Sequence, residues 1–201
     1  MMRYGLGNDQ ETKKDEELML QFQQGDEACF RALVDRYKQR IYAFTYRFLN
    51  RSPEAEDIAQ EVFVKVYFSR DTYRPTAKFS TWVYVISKNA CLQALKKVGS
   101  NISINERRSN TDLEMIETIA GSGDDNPSEK LLNEEKSGQI AAAISRLPES
   151  QKMAILLKRY DQMSYEEIAE VMNCSVQSVK SLLFRGRSTL KEYLKEYFRE
   201  D

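Results

Sequence analysis

The sequence predicts an all-α fold: two small helical domains joined by a flexible linker, the second containing a helix-turn-helix. Three observations carry this expectation. Apolar residues recur at steps of three and four along most of the 201 residues, the spacing of one helix face. Helix breakers are scarce, with 8 glycines and 4 prolines, and strand-like alternation is rare. A polar stretch rich in Gly, Ser, Asn and Asp divides the chain.

Residues 1–14 read as a flexible tail. The first domain is expected over 15–98. It opens with "DEELMLQFQQ", a short helix that ends near Gly25. Phe30, Leu33, Val34, Tyr37, Ile41, Phe44 and Phe48 then mark one face of a long helix. Ser52-Pro53-Glu54 reads as a helix start, with serine as N-cap, proline just inside, and Glu54, Glu56 and Asp57 at the positive end. Ile58, Val62, Phe63 and Val66 are its buried stripe. "RDTYRPTAKFS" breaks it, and a further helix runs from about Ser80 to Lys97.

The linker spans 99–128. Its apolar residues, among them Ile102, Leu113 and Ile119, fit either a loosely packed tether or a segment that orders in a partner's groove. The second domain follows over 129–201. "SEKLLNEEKSGQIAAAISRL" is a helix, and Pro148 starts another.

The stretch "SYEEIAEVMNCSVQSVKSLLFRGRSTL" is the most informative. Ser164-x-x-Glu167 is a capping box, so a helix begins at Ser164. Asn173 is the break, because asparagine tolerates the left-handed conformation of a tight turn. Ser175 caps the next helix, whose apolar side is Val176, Val179, Leu182, Leu183 and Leu190. Small Ala169 lets the helices approach, and Val179 fills the contact. That is the helix-turn-helix pattern. From Ser175 to Lys191 there are Lys180, Arg185, Arg187 and Lys191 and no acid. The net charge of −1 averages this basic helix away, whereas phosphates respond to the local field.

Composition excludes much catalytic chemistry. There is no histidine, so histidine-based proton transfer is ruled out. Cys29, Cys91 and Cys174 are scattered with no CxxC, so no zinc site is expected. No phosphate-binding glycine loop is present. The expectation is a protein that is not an enzyme and carries no cofactor or metal. No apolar run reaches the ~20 residues of a membrane span, and the N-terminus has no apolar signal core, so the expected location is the cytoplasm without membrane insertion.

On "DIAQEVFVKVY", "FSTWVYVISKNACLQALKK" and "LPESQKMAILLKRYDQMSYEEIAEVMNCSVQSVKSLLFRGRSTL", the chain resembles the extracytoplasmic-function (ECF) sigma factors of bacterial RNA polymerase. The resemblance covers roughly Glu16 to Leu190. It implies an alternative sigma factor that binds core RNA polymerase, at the β′ clamp coiled coil and at β, and directs recognition and opening of promoter DNA. Core binding would fall to Asp57, Gln60, Glu61 and Lys65. The −10 element would be melted by Tyr73, Arg74, Lys78, Phe79, Trp82, Tyr84 and Lys88. The logic is that rings accept unstacked bases while cations hold the backbone. Phe79 and Trp82 fit core packing equally well, whereas Tyr73, Arg74 and Lys78 sit in a polar loop.

The −35 element would be read by Gln177, Ser178, Lys180, Ser181, Phe184, Arg185 and Arg187. N-terminal residues of such a helix reach base edges and later ones clamp phosphates. Two positions depart from the family: Val85 and Leu182 stand where arginine is frequent, and Leu182 fits a buried position instead. An anti-sigma factor is a further implied partner. The tail "LKEYLKEYFRED" would be its surface or the last packing helix of the domain. The competing readings are a conventional helix-turn-helix regulator and a sigma-mimicking protein that binds an anti-sigma factor.

Overall fold

The structure, a computed structural model, describes residues 12–50, 52–101 and 137–197. The expected tail up to residue 11, nearly all of the linker, the first turns of the helix after it, and Phe198 onward lie outside the described residues. Every regular element among the described residues is helical.

Helix α1 (Asp15–Gln23) buries Leu18, Met19 and Phe22. Its acidic first turn is an anchor: Asp15 accepts from the Arg36 guanidinium and from the Tyr37 hydroxyl, each at 2.5 Å. Gly25, at φ 100, turns the chain in a conformation that suits glycine. Asp26 then caps α2 (Glu27–Phe48), its carboxylate accepting from the Ala28 amide at 3.0 Å. Cys29, Leu33, Tyr37, Ile41, Phe44 and Phe48 form the buried face of α2, one turn apart.

Helix α3 (Ala55–Phe68) starts later than the sequence predicts. Ser52 accepts from the Glu54 amide at 3.4 Å, but Ser52-Pro53-Glu54 forms a turn, and Glu54 occupies the N-cap without a side-chain bond. The buried Thr45 hydroxyl donates to the Ala55 carbonyl at 3.1 Å, which ties this start to α2. Ala55, Ala59, Val62 and Val66 face inward.

A short 3₁₀ turn (Arg70–Thr72) leads to α4 (Phe79–Asn101), which runs past the predicted domain boundary at residue 98. Apolar positions ring α4 because two layers cover it. It packs on α2 and α3 on one side and on α7 (Tyr165–Met172) of the second domain on the other.

The second domain begins with α5, described over 137–145. Pro148 precedes α6 (Glu149–Arg159), in which every residue from Lys152 to Leu157 is buried. Helix α6 is the central helix, touching α2, α7 and α8 (Val176–Tyr197). The buried apolar residues of both domains form one continuous cluster, from Leu18 to Leu183. The two predicted domains are therefore packed together.

The predicted tail helix is the end of α8, where the Arg146 guanidinium lies 5.9 Å from the Tyr193 ring centroid. Among the described residues no helix is long and apolar enough to cross a membrane.

Gly186 allows α8 to approach α6 closely. A Cβ there would lie 3.1 Å from Ile155 Cγ1 and 3.5 Å from Gln151 Cβ. Gly186→Val adds a branched side chain to a filled contact, and overpacking of this kind costs ~1–3 kcal/mol. The expected result is a lower urea midpoint in chemical denaturation.

Candidate nucleic-acid interface

The helix-turn-helix is built as the sequence predicts. The Ser164 hydroxyl accepts from the Glu167 amide at 3.1 Å while the Glu167 carboxylate accepts from the Ser164 amide at 2.7 Å. Asn173 ends α7 in the left-handed conformation, at φ 52 and ψ 53. The Ser175 hydroxyl accepts from the Ser178 amide at 3.1 Å and starts α8. Val179 and Leu183 are buried under α8, with Leu182 half-buried beside them.

This register turns Gln177, Ser178, Lys180, Ser181, Phe184, Arg185 and Arg187 to the outside, and all seven are exposed. Phe184 is 75% exposed, an apolar ring among cations with no core to cover it. None of the salt bridges among the described residues engages Lys180, Arg185 or Arg187. The face can therefore offer its full positive charge to a polyanion.

The aromatic-basic loop differs from expectation. Tyr73, Phe79 and Tyr84 are 1%, 0% and 0% exposed, so they are not open platforms for a base in this conformation. Tyr73 packs edge-on against Trp82 at 5.3 Å between centroids, and Phe79 meets Tyr37 at 5.2 Å. The Tyr73 hydroxyl donates to the Ala77 carbonyl at 2.9 Å, and burial pushes its pKa up to about 12. Two residues of α1 fix this loop from a distance. Gln23 donates to the Arg70 and Tyr73 carbonyls at 2.6 and 3.1 Å, and Glu16 accepts from the Phe79 amide at 3.0 Å. Sequence reasoning missed both, because a partner some 50 residues away leaves no local pattern.

Trp82 is half-buried and Arg74 exposed. The Arg74 guanidinium donates to the Asp71 and Tyr73 carbonyls at 2.6 and 2.9 Å. Lys78 and Lys88 point at the second domain. Lys78 Nζ donates to Glu167 Oε1 at 2.8 Å, and Lys88 Nζ donates to the Val171 carbonyl at 2.8 Å.

Further bridges cross the same seam. The Tyr84 hydroxyl donates to Asp161 Oδ1, and Arg40 Nε lies 3.9 Å from that oxygen. Arg47 stacks over the Tyr160 ring at 4.1 Å. Buried Lys152 donates to Asn50 Oδ1 at 2.7 Å. Val85 is half-buried against the core.

Asp161 titrates in an unusual range. Its side chain is 6% exposed, and burial raises its pKa to about 6, against the opposing effects of the Tyr84 hydrogen bond and the Arg40 and Arg47 charges. An acid whose pKa is raised by packing weakens that packing when it ionises. The handicap grows as pH rises from about 4 to about 6 and is complete above. Glu167 shifts oppositely: the Lys78 hydrogen bond, foremost, and the Ser164 amide lower its pKa, so its support fails only below its ordinary range. Between pH 7 and pH 5, Asp161 thus dominates. Acidification over this range is expected to raise the protection of α7 amides relative to their intrinsic exchange rate at each pH, as read by mass spectrometry, and Asp161→Asn removes that rise.

The remaining predicted residues lie on α3. Asp57 and Gln60 are exposed, while Glu61 and Lys65 are half-exposed and paired at 2.7 Å. Lys65 Nζ also donates to Gln93 of α4 at 3.2 Å. Beside them, between α2 and α3, is an apolar groove of about 830 Å³. Phe30, Val34 and Tyr42 form one wall, and Ala59, Gln60, Phe63, Val64 and Phe68 the other. Val64 is 53% exposed and Phe68 80%. Of the four predicted residues only Gln60 lines this groove, and sequence reading missed its apolar walls.

Two family models match this chain: sigma-70 region 2 over residues 33–100, and sigma-70 region 4 over residues 137–190. Among curated relatives, the ECF RNA polymerase sigma factor SigW of Bacillus subtilis is 35% identical, over 88% of this chain and 94% of its own length. Among solved structures, CnrH in complex with the cytosolic domain of CnrY superposes with a TM-score of 0.67 at 21% identity, covering 90% of this chain and 97% of that one. The sigma factor RpoE of Bartonella quintana, in complex with the anti-sigma factor NepR, superposes with a TM-score of 0.63 at 21% identity, covering 83% and 96%. These two likenesses bear on the fold.

Proposed function

Given that this chain belongs to the ECF RNA polymerase sigma factors, we propose a division of labour among its surfaces during transcription initiation. As a sigma factor the protein directs core polymerase to promoters and does no chemistry itself. The exposed face of α8 reads the −35 element. Gln177 and Lys180, near its start, reach base edges, with lysine suited to guanine O6 and N7 and glutamine to adenine. Phe184 meets a thymine methyl, and Arg185 and Arg187 hold phosphates.

Trp82, Arg74, Lys78 and Lys88 engage the opened −10 strand, and the buried rings of Tyr73, Phe79 and Tyr84 hold that platform in shape. The groove between α2 and α3 takes the clamp coiled coil of β′. Its apolar walls supply area, while Asp57, Gln60, Glu61 and Lys65 of α3 set register. An anti-sigma factor is a further partner, a reading supported by the Bartonella quintana relative being found with one. The protein works in the cytoplasm, beside the polymerase.

The observation that carries this reading is the acid-free, exposed face of α8 from Gln177 to Arg187, set on a capped turn, in a chain of which 88% aligns with an ECF sigma factor. The experiment is run-off transcription with purified core polymerase on host genomic fragments, with and without this protein. Discrete transcripts that share upstream motifs and appear only with the protein support the reading. Sequence-specific duplex binding without such transcripts defeats it.

A further inference from the structure

We propose that Glu16 and Gln23 of α1 are positioning residues for promoter choice: they hold the two ends of the loop over 70–79 and so fix which bases the −10 surface accepts. This rests on the reading of Arg74 and Trp82 as −10 contacts.

The loop is gripped at its entry and at its exit. At the entry, the Gln23 side-chain amide donates to two carbonyls, Arg70 at 2.6 Å and Tyr73 at 3.1 Å. At the exit, Glu16 Oε1 accepts from the amide of Phe79, the first residue of α4, at 3.0 Å. The first turn of α4 contains no acid, and Lys78 precedes it. Glu16 thus supplies from α1 the acceptor that an N-cap side chain supplies locally in other helices.

Glu16 and Gln23 are seven residues apart, nearly two turns, so they share a face and stand about 10 Å apart along the axis. Helix α1 therefore sets the span of the loop as a rigid spacer. It cannot slide easily. Leu18, Met19 and Phe22 are fully buried, and Asp15 ties its start to Arg36 and Tyr37 of α2.

Each grip leads directly to a proposed contact. The Tyr73 carbonyl accepts from Gln23 and from the Arg74 guanidinium, so the two side chains share one acceptor. The Phe79 amide that Glu16 holds sets the start of α4, and with it Trp82, whose ring packs on Tyr73 and Phe79 at 5.3 and 6.0 Å between centroids. Arg74 is thus placed from one end of α1 and Trp82 from the other. The space between them, which α1 spans, selects the base.

The substitutions follow from the hydrogen-bond inventory. Gln23→Glu is isosteric, yet its carboxylate has no hydrogen to donate and meets two carbonyl oxygens. Glu16→Ala removes the acceptor, whereas Glu16→Gln keeps one.

The test uses holoenzyme formed from the full chain and purified core polymerase. The template is a promoter mapped by run-off on host fragments, with each base placed in turn at each −10 position. Gln23→Glu and Glu16→Ala are expected to lower discrimination among bases about tenfold at one or two adjacent −10 positions. Glu16→Gln retains the unmodified preference. Core-polymerase affinity and the order of preference among −35 variants stay unchanged, which also reports that the variants fold.

A loss that is uniform across all −10 variants, with the preference retained, is what a merely structural role gives, and it overturns the proposal. A preference unchanged in both Gln23→Glu and Glu16→Ala overturns it too, when Arg74→Ala and Trp82→Ala shift that preference. If Arg74→Ala and Trp82→Ala also leave the preference unchanged, the −10 reading itself falls, and the positioning with it.

Discussion

Run-off transcription by a Lys180→Ala holoenzyme is expected to fall about tenfold to a hundredfold at promoters the unmodified protein serves, with polymerase affinity unchanged. Lys180 lies on the second exposed turn-face position of α8, with Val179 beside it buried and fixing its direction. A direct base contact is worth ~1–3 kcal/mol of discrimination, so its loss relaxes the choice of base at one position of the −35 element. Arg187→Ala makes the control. A phosphate clamp carries no sequence information, so its loss weakens all promoters alike and lowers the salt slope of binding by about 1. If Lys180→Ala and Arg187→Ala behave identically across a set of promoter variants, the division between reading and clamping residues is wrong.

The second large effect is expected at the groove. Val64→Asp will weaken core-polymerase affinity at least about tenfold while leaving the unfolding transition where it was. Val64 lines the groove and is 53% exposed, so the core does not enclose it. An aspartate there becomes a charge with no partner once the groove is covered, and desolvating such a charge costs several kcal/mol at an interface. Competition binding against the unmodified protein measures the loss. Affinity unchanged by Val64→Asp would move the polymerase contact off this groove.

Much of this architecture was readable in the order of residues. Most of the α2 face follows from spacing: Leu33, Tyr37, Ile41, Phe44 and Phe48 are buried, while Phe30 and Val34 of the same predicted stripe are half-buried and line the groove. The helix-turn-helix was legible down to its caps, because Ser164, Glu167, Asn173 and Ser175 act on backbone groups within three residues of themselves. Local chemistry leaves a local signature. The α8 face was legible for a related reason, since burying Val179 and Leu183 leaves the intervening positions outside.

The loop before α4 was not legible in the same way. Tyr73 stands among polar residues, and nothing in its neighbourhood distinguishes a ring offered to solvent from one folded under Phe79 and Trp82. What fixes its backbone comes from α1, through Gln23. The Ser52-Pro53 start failed for another reason. The amide that Ser52 reaches belongs to Glu54, two residues on, so it closes a turn where a helix cap was expected. Asp161 is the extreme case. Its neighbours in the chain read as a polar loop, while its burial depends on Tyr84, 77 residues away.

Ionic strength acts on this protein at two places. The Lys78–Glu167 bridge is a surface pair, with the lysine side chain 69% exposed, and dissolved salt screens it. Lys152, by contrast, is buried and donates to Asn50 of the first domain, where dissolved ions screen it far less. The tie between the two domains is therefore divided into a salt-sensitive part at its edge and a salt-indifferent part at its centre.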